Sequence, residues 1–315
     1  MTPSDRAKPL QLHLEQFLTD LAQHEGYARN TVAAYHNDLN QLIEFLARQE
    51  PPIDNWSQVT SPILAAFVES LRVMKIVKRS GEEKSVAPST IARKVAALKS
   101  FFNYLTIQGV VPSDPALELE APKVAKRTPK TMTDDEVERL LAAPGGGNSP
   151  KALRDRALLE LLYATGMRVS ELVSLKMEDL HLPERIVSVR SEDGSKQRVV
   201  PISDKVVEAL QVYLERGRPH FLKSAGSQSA LFLNQRGQQL TRQGMWLIIK
   251  EYAVRAGLDY DVTPHMLRHS FAAHMLQNNR ATLSEVQRYL GHANISTTQI
   301  YVHPQTPAAL PEPEL

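Results

Sequence analysis

The chain has 315 residues, no cysteine and a formal net charge of +2 at pH 7. The length suggests two domains. The lack of cysteine excludes a disulfide framework and a thiolate metal site, and no apolar run is long enough to predict a membrane span. The first ten residues lack the apolar segment of a secretory signal. We therefore expect a cytoplasmic protein that does not associate with membranes.

The N-terminal 120 residues have the pattern of a helical domain. Asn30 can cap a helix whose apolar stripe extends to Leu46. Ser89 can cap a second long helix with one apolar face. Residues 75–88 between them are polar and rich in charge, which predicts an exposed loop.

A short basic segment, residues 121–131, follows this domain. Residues 1–120 carry 12 Lys/Arg and 14 Asp/Glu, and residues 132–315 carry 21 of each, so the excess positive charge lies between them. The cations of the segment are Lys123, Lys126, Arg127 and Lys130. Because phosphate binding is electrostatic and local, the segment is either a clamp on a nucleic-acid backbone or a solvated linker.

Residues 132–303 have the pattern of a second, mainly helical domain. Thr133-Asp134-Asp135-Glu136 forms a capping box, and residues 153–164 predict a strongly apolar, buried helix. Two short strand-like runs are joined by Asp193-Gly194, a hairpin turn signal. Residues 304–315 contain four prolines and predict an extended or disordered tail.

Four fragments of the second domain carry residues that suit phosphate chemistry. They read Y-A-T-G-M-R-V-S-E-L, then H-M-L-R, then G-H, and finally a tyrosine nine residues after the last histidine. Arginine binds phosphate bidentately and keeps its charge, and tyrosine can act as a nucleophile. The pattern indicates cleavage of a phosphodiester through a tyrosine. The candidate catalytic residues are Arg168, His265, Arg268, His292 and Tyr301.

Several of these side chains also have a plainer interpretation. Arg168 could form a buried ion pair with Glu171, and Tyr301 could be a packing aromatic. His265 and His269 are four residues apart, a spacing that can bind zinc. Because no H-E-x-x-H pattern and no cysteine accompany them, we expect no metal and interpret His269 as a structural, hydrogen-bonded histidine.

Taken in this order, the fragments resemble those of the tyrosine recombinases, and within them the Xer-type site-specific recombinases, from about Leu12 to about His303. The resemblance implies a mainly α protein with a small β-hairpin or sheet. It implies a helical, SAM-like core-binding domain over residues 1–120 and a catalytic domain over residues 132–303. The two domains are expected to form a C-shaped clamp around DNA.

The resemblance also implies a role for each candidate residue. Tyr301 would attack the scissile phosphate and form a 3′-phosphotyrosyl link, which releases a 5′-hydroxyl. Arg168 and Arg268 would neutralise the phosphate, His265 would accept the proton of the tyrosine, and His292 would hydrogen-bond the phosphate. No cofactor is expected, since the covalent link conserves the energy of the broken bond.

One position departs from the family pattern. The usual hairpin turn reads G-K-G-x-K-x-R, and its first lysine is catalytic. The matching segment here is E-D-G-S-K-Q-R, which ends at Arg198. Asp193 stands where the first lysine belongs, and Lys196 matches the second. Either Lys196 fills the catalytic role or general-acid assistance is weaker.

The resemblance finally suggests partners. Arg93, Lys94 and Lys99 would contact DNA, and their alternative is an ordinary solvated helix face. We expect a specific two-arm site in double-stranded DNA, bound by a tetramer of this protein alone or with a paralogous recombinase. A septal DNA translocase is a further candidate partner. The implied process is the resolution of chromosome dimers at cell division. The alternatives are a phage or transposon integrase, a relaxing topoisomerase, and a DNA-binding protein without cleavage activity.

Overall fold

The computed structural model forms two compact units, residues 1–126 and 127–315. The boundary falls within the basic segment, and each unit has its own hydrophobic core. The hairpin turn at Asp193-Gly194, two cations of the basic segment and the proline-rich tail lie outside the described residues. The structure describes residues 8–23, 27, 29–77, 81, 83–124, 129–145, 147–191, 196–222 and 229–302.

The first unit is a helical bundle with a small antiparallel hairpin. Its helices are α1 (Lys8–Gln23), α2 (Arg29–Ala47), α3 (Ser61–Val73) and α4 (Pro88–Ile107), with a 3-10 turn at Trp56–Gln58. Its strands are β1 (Lys75–Val77) and β2 (Glu83–Ser85). The hairpin occupies the segment predicted as a loop, so that prediction is wrong for these six residues. Trp56 packs edge-on against Phe101 at 4.8 Å in the centre of the core.

The two predicted helix starts in this unit are each displaced. α2 begins at Arg29, so Asn30 lies within its first turn and does not cap it. α4 begins at Pro88, with Ala87 as its N-cap, so Ser89 also lies inside the helix. A proline favours the first helical position because its fixed φ suits the helix and its missing N–H would have no helical partner there.

The second unit combines helices with one three-stranded antiparallel sheet in the order β3-β4-β5. Val187 of the central strand pairs with Leu180 on one side and Val200 on the other. The helices are α5 (Asp134–Ala142), α6 (Pro150–Thr165), α7 (Val169–Ser174), α8 (Asp204–Val212), α9 (Arg242–Arg255), α10 (Pro264–Gln277), α11 (Leu283–Leu290) and α12 (Ser296–Gln299). The strands are β3 (Leu180–His181), β4 (Ile186–Arg190) and β5 (Gln197–Pro201), and short 3-10 or π turns lie at Met177–Asp179, Tyr213–Gly217 and Arg218–Phe221.

Helix α6 is largely buried, as its leucine-rich sequence predicts. Leucines at positions 158, 159, 161 and 162 are all essentially inaccessible to solvent. The helix ends at Gly166, which has a φ of 56°. A Cβ there would lie 2.3 Å from Cδ1 of Phe271 in α10. Only glycine therefore allows α6 to end against Phe271 of α10. This close approach of the two helices determines where the turn that carries Arg168 begins.

The capping box predicted at Thr133–Glu136 is confirmed and starts α5, and local signals also set the ends of two later helices. Thr263 caps α10 with Pro264 at its first position. Gly291 ends α11 with a φ of 66°. Within the described residues, no helix is both long and apolar enough to cross a lipid bilayer.

Candidate active site

The turn from α6 to α7 presents Arg168 at the N-terminus of α7. The Oε2 atom of Glu171 accepts a 2.6 Å hydrogen bond from the backbone N–H of Arg168, and its Oε1 atom accepts one of 3.2 Å from the guanidinium. Arg168 and Glu171 therefore form the ion pair that the sequence offered as the alternative to phosphate binding. The Arg168 side chain nevertheless remains 47% exposed while Glu171 is buried. Glu171 thus orients a guanidinium that can still bind an anion.

A second arginine, Arg198 at the start of β5, also binds the carboxylate of Glu171. Its Nη1 and Nη2 atoms donate to the two carboxylate oxygens at 2.8 Å each, and its Nε donates to the carbonyl of Tyr289 at 2.6 Å. Burial alone would raise the pKa of Glu171, but the hydrogen bonds and charge of Arg198, followed by those of Arg168, lower it. Sequence reasoning did not assign Arg198 to the site, although it closes the hairpin pattern quoted above.

Arg268 links three segments of the site from its position on α10. Its Nη1 donates to the carbonyl of Gly166 at 2.6 Å, and its Nη2 donates to the carbonyl of Leu290 at 2.7 Å. These carbonyls lie two residues before Arg168 and two residues before His292. Burial, followed by the charge of Arg168, lowers the pKa of Arg268 to about 10. The guanidinium is therefore still charged at neutral pH.

His292 follows the left-handed turn that ends α11. Its Nδ1 and the Oγ1 of Thr298 on α12 are hydrogen-bond partners at 3.0 Å. Burial, followed by the charges of Arg268 and Arg168, lowers the pKa of His292 to about 4. The imidazole is thus neutral at pH 7 and lies near both arginines.

Tyr301 lies just after α12 and is only 6% exposed. Its hydroxyl is hydrogen-bonded to Nδ1 of His269, and the two ring centroids are 5.5 Å apart. Burial raises the pKa of Tyr301, and the charge of Arg268 opposes this effect. The interpretation of His269 as hydrogen-bonded is thus confirmed, but its partner is the hydroxyl of the candidate nucleophile.

The remaining predicted catalytic residues, His265 and Lys196, are both exposed. His265 is exposed in the first turn of α10, one turn before His269. The hydroxyl of Tyr301 is hydrogen-bonded to His269, and the role of His265 as proton acceptor stays a prediction. Lys196 is exposed just before β5, and its backbone exchanges hydrogen bonds with Ser191.

His274, which could have extended a zinc-like histidine series, has a structural role. Its Nδ1 contacts the hydroxyl of Tyr163 at 2.7 Å, and its Nε2 contacts the carbonyl of Met132 at 2.9 Å. Across the part of the chain that the structure describes, no three His, Cys, Asp or Glu side chains are grouped so that they could hold a metal ion.

The predicted DNA-contacting cations of α4 differ in accessibility. Lys94 is 5% exposed, and its Nζ donates to Asp38 at 2.7 Å and to Gln41 at 2.8 Å. It neutralises a buried carboxylate, so we remove it from the set expected to contact DNA. Arg93 also pairs with Asp38 but stays partly exposed. Lys99 is exposed and donates to a backbone carbonyl at 3.0 Å.

The cations of the basic segment are only partly described. Lys123 and Lys130 are exposed. Lys126 and Arg127 lie outside the described residues.

Residues 130–307 match the model of the phage integrase family, and residues 14–109 match the phage integrase N-terminal SAM-like domain. The chain belongs to this family. It is 45% identical to a tyrosine recombinase XerC of Roseiflexus castenholzii over 95% of this chain and 93% of that protein. It is 40% identical to a tyrosine recombinase XerD of Listeria monocytogenes over 92% and 93%. These relatives make it an Xer-type tyrosine recombinase, an enzyme that cleaves and rejoins DNA.

Solved structures agree with the predicted fold class. A lambda integrase dimer bound to a COC′ core site superposes with a TM-score of 0.67 at 17% identity and covers 94% of this chain and 96% of that one. XerH bound to a palindromic difH substrate in a post-cleavage complex gives 0.67 at 22% identity, over 93% and 91%. The mainly helical fold with small antiparallel sheets and an N-terminal SAM-like domain is confirmed, and the clamp stays a prediction.

Proposed function

We propose that this recombinase cleaves a specific two-arm DNA site with Tyr301 as its nucleophile and resolves chromosome dimers at cell division. One observation carries the chemistry. Helix α10 holds the segments of Arg168 and His292 through two hydrogen bonds of Arg268, and its next residue, His269, holds the Tyr301 hydroxyl. A nucleophile and two phosphate-binding cations are thereby gathered around one short stretch of helix.

In this proposal the two arginines bind the non-bridging oxygens of the scissile phosphate. Two N–H groups of Arg268 donate to backbone carbonyls. A guanidinium has five N–H groups, so others can donate to a ligand. Arg168 offers its exposed edge. Fixed positive groups stabilise the charge that develops in the transition state, and an arginine in such a position contributes about 10³ to 10⁵ in rate in other phosphoryl transfers.

His292 supplies a neutral hydrogen bond in the same scheme. When the Thr298 hydroxyl donates to Nδ1, the neutral ring carries its proton on Nε2. That N–H can then donate to a phosphate oxygen. We infer that Lys196 assists the leaving 5′ oxygen, because it matches the second lysine of the family's turn and is exposed at the edge of the sheet.

The biological setting follows from the relatives, which carry the names XerC and XerD. We infer a tetramer on DNA, formed by this chain alone or with a paralogous recombinase, in which the two units of each protomer close on the duplex like a clamp. The basic segment and the exposed cations Arg93 and Lys99 would contact the backbone. A septal DNA translocase is a candidate partner of this assembly.

Mapping of covalent cleavage on the host chromosome tests this proposal. Protein-linked 3′ ends should occur at one short, two-arm sequence, and deletion of the protein should leave chromosome dimers unresolved. Links at an element boundary with no effect on dimers would instead indicate an integrase of the same chemistry.

A further inference from the structure

We propose that His269 is the catalytic residue that accepts the proton of Tyr301 during cleavage and returns it during rejoining. The inference rests on the proposed role of Tyr301 as nucleophile. The proposal assigns acceptance of the Tyr301 proton to His269, the residue immediately after Arg268, and not to His265, the histidine of the H-x-x-R motif.

The geometry places His269 on the reacting atom. Its Nδ1 is the hydrogen-bond partner of the Tyr301 hydroxyl, and its ring lies tilted against the tyrosine ring at a centroid distance of 5.5 Å. A general base must lie within hydrogen-bond reach of the proton that it removes, and this pair already satisfies the requirement before any DNA is bound. His265 precedes it by one helical turn and is exposed.

The charges around His269 keep its acceptor nitrogen available. His265 and Arg268 face it from its own helix, and His292 and Tyr301 approach from the segments after α11 and α12. Burial, followed by His265 and Arg268, lowers the pKa of His269. The ring is therefore neutral at pH 7, and a neutral ring protonated on Nε2 presents a lone pair on Nδ1.

The step balances as an in-line displacement. The bond from the Tyr301 oxygen to phosphorus forms as the bond from phosphorus to the 5′ oxygen breaks. The phenolic proton moves to Nδ1 of His269, and the leaving 5′ oxygen takes a proton from the ammonium of Lys196, the group proposed above to assist it. In the reverse step the 5′-hydroxyl of the incoming strand attacks phosphorus and returns its proton to the amine of Lys196. The bond from phosphorus to the Tyr301 oxygen breaks, and that oxygen regains its proton from His269.

The test is single-turnover formation of the covalent adduct on a nicked suicide duplex. His269→Asn keeps an acceptor oxygen near the position of Nδ1 but cannot take up a proton. We expect it to slow adduct formation by about 10²- to 10⁴-fold, with unchanged affinity for the uncleaved site. His265→Asn, one turn earlier on the same face, is the matched control and should slow the reaction less.

Two further readouts separate proton transfer from a structural role. The wild-type rate should fall as the pH drops through the depressed pKa of His269, and His269→Asn should lack this fall. A substrate with a 5′-bridging sulfur, whose leaving group needs no proton, should not rescue His269→Asn, because the defect lies on the side of the nucleophile. If His269→Asn lowers Tm, His269→Ala provides a second test of proton transfer. Added imidazole should restore part of its rate of adduct formation.

A wild-type rate in His269→Asn would overturn the proposal, as would a larger loss in His265→Asn or a failure of imidazole to rescue a folded His269→Ala. Tyr301→Phe distinguishes a failure of the proposed function from a failure of the assignment of His269 as the base. An adduct that persists in Tyr301→Phe removes the proposed function itself, whereas its loss together with normal activity in His269→Asn removes only the assignment of the base.

Discussion

Glu171 and Arg198, 27 residues apart in the chain, form a two-pronged ion pair with N–H···O distances of 2.8 Å. Glu171 is buried, and its remaining contacts go to the backbone and guanidinium of Arg168. Arg198 also holds the carbonyl of Tyr289, three residues before His292. The pair therefore fixes two parts of the site at once.

The first prediction follows from this pair. Arg198→Lys keeps the charge but loses the two-pronged geometry, so Arg168 and His292 should shift from their places. Misplacement of about 1 Å can cost about 10²-fold in rate, and we expect a loss of that order in single-turnover cleavage with little change in DNA affinity. Arg190→Lys, at the end of the neighbouring strand and paired with Glu178 and Asp179, is the control and should stay within about twofold of the wild type. Equal losses in both variants would contradict a specific role for Arg198.

The second prediction concerns Gly166, where a Cβ would lie 2.3 Å from Phe271. A left-handed conformation costs a non-glycine residue about 1–2 kcal/mol, and overpacking adds about 1–3 kcal/mol. Gly166→Ala should therefore lower the free energy of unfolding by about 2–5 kcal/mol. Gly257→Ala meets the same φ penalty, at 67°, but its Cβ would have only Arg139 at 3.8 Å. Denaturant unfolding should show the smaller loss there, and equal losses would refute the packing argument.

The third prediction concerns the pH dependence of stability in the free protein. The pKa of His292 is about 4 in the folded state and about 6.5 in an unfolded chain. Between these values the unfolded chain binds a proton that the folded protein does not, so stability falls as the pH drops from about 6.5 to 4. His292→Asn should remove about 1–2 kcal/mol of this fall, after allowance for solvent screening of a half-buried ring. Melting curves of the wild type and His292→Asn across this pH range measure the difference, with His265→Asn as a control at an exposed position. The same loss of stability with falling pH in the wild type and in His292→Asn would contradict the prediction.

The fourth prediction concerns the basic segment. Neutralising Lys123, Lys126, Arg127 and Lys130 should weaken binding to every DNA sequence. The slope of log K against log salt should flatten by up to about 3.6, since each phosphate contact contributes about 0.9. A matched variant neutralises four exposed arginines, each paired with a carboxylate three or four residues earlier in the chain, and its slope should change less. These are Arg48, Arg72, Arg139 and Arg255. An unchanged slope in the first variant would identify the segment as a plain linker.

Some features governed by neighbouring residues could be predicted from the sequence, whereas the caps expected at Asn30 and Ser89 are displaced. The capping box at Thr133 depends on local backbone chemistry, and it forms where its pattern occurs. The segments of Arg168 and Arg268 meet as the motif order implies.

Features that depend on packing between distant segments could not be predicted. Lys94 turns inward because Asp38, 56 residues earlier on α2, offers it a buried partner. Likewise, His265 and His269 share one face of α10, and the packing of the segment after α12 determines which of them meets Tyr301. Spacing along a single helix carries no information about that choice.

The most direct test of the account is the identity of the residue that becomes linked to DNA. A nicked suicide duplex is incubated with the wild type, with Tyr301→Phe and with Tyr289→Phe, which removes a nearby tyrosine hydroxyl as a control. We predict a covalent adduct on a denaturing gel for the wild type and Tyr289→Phe, none for Tyr301→Phe, and a nucleotide-linked peptide that maps to Tyr301 by mass spectrometry. An undiminished adduct in Tyr301→Phe, or a link that maps to another residue, would contradict it.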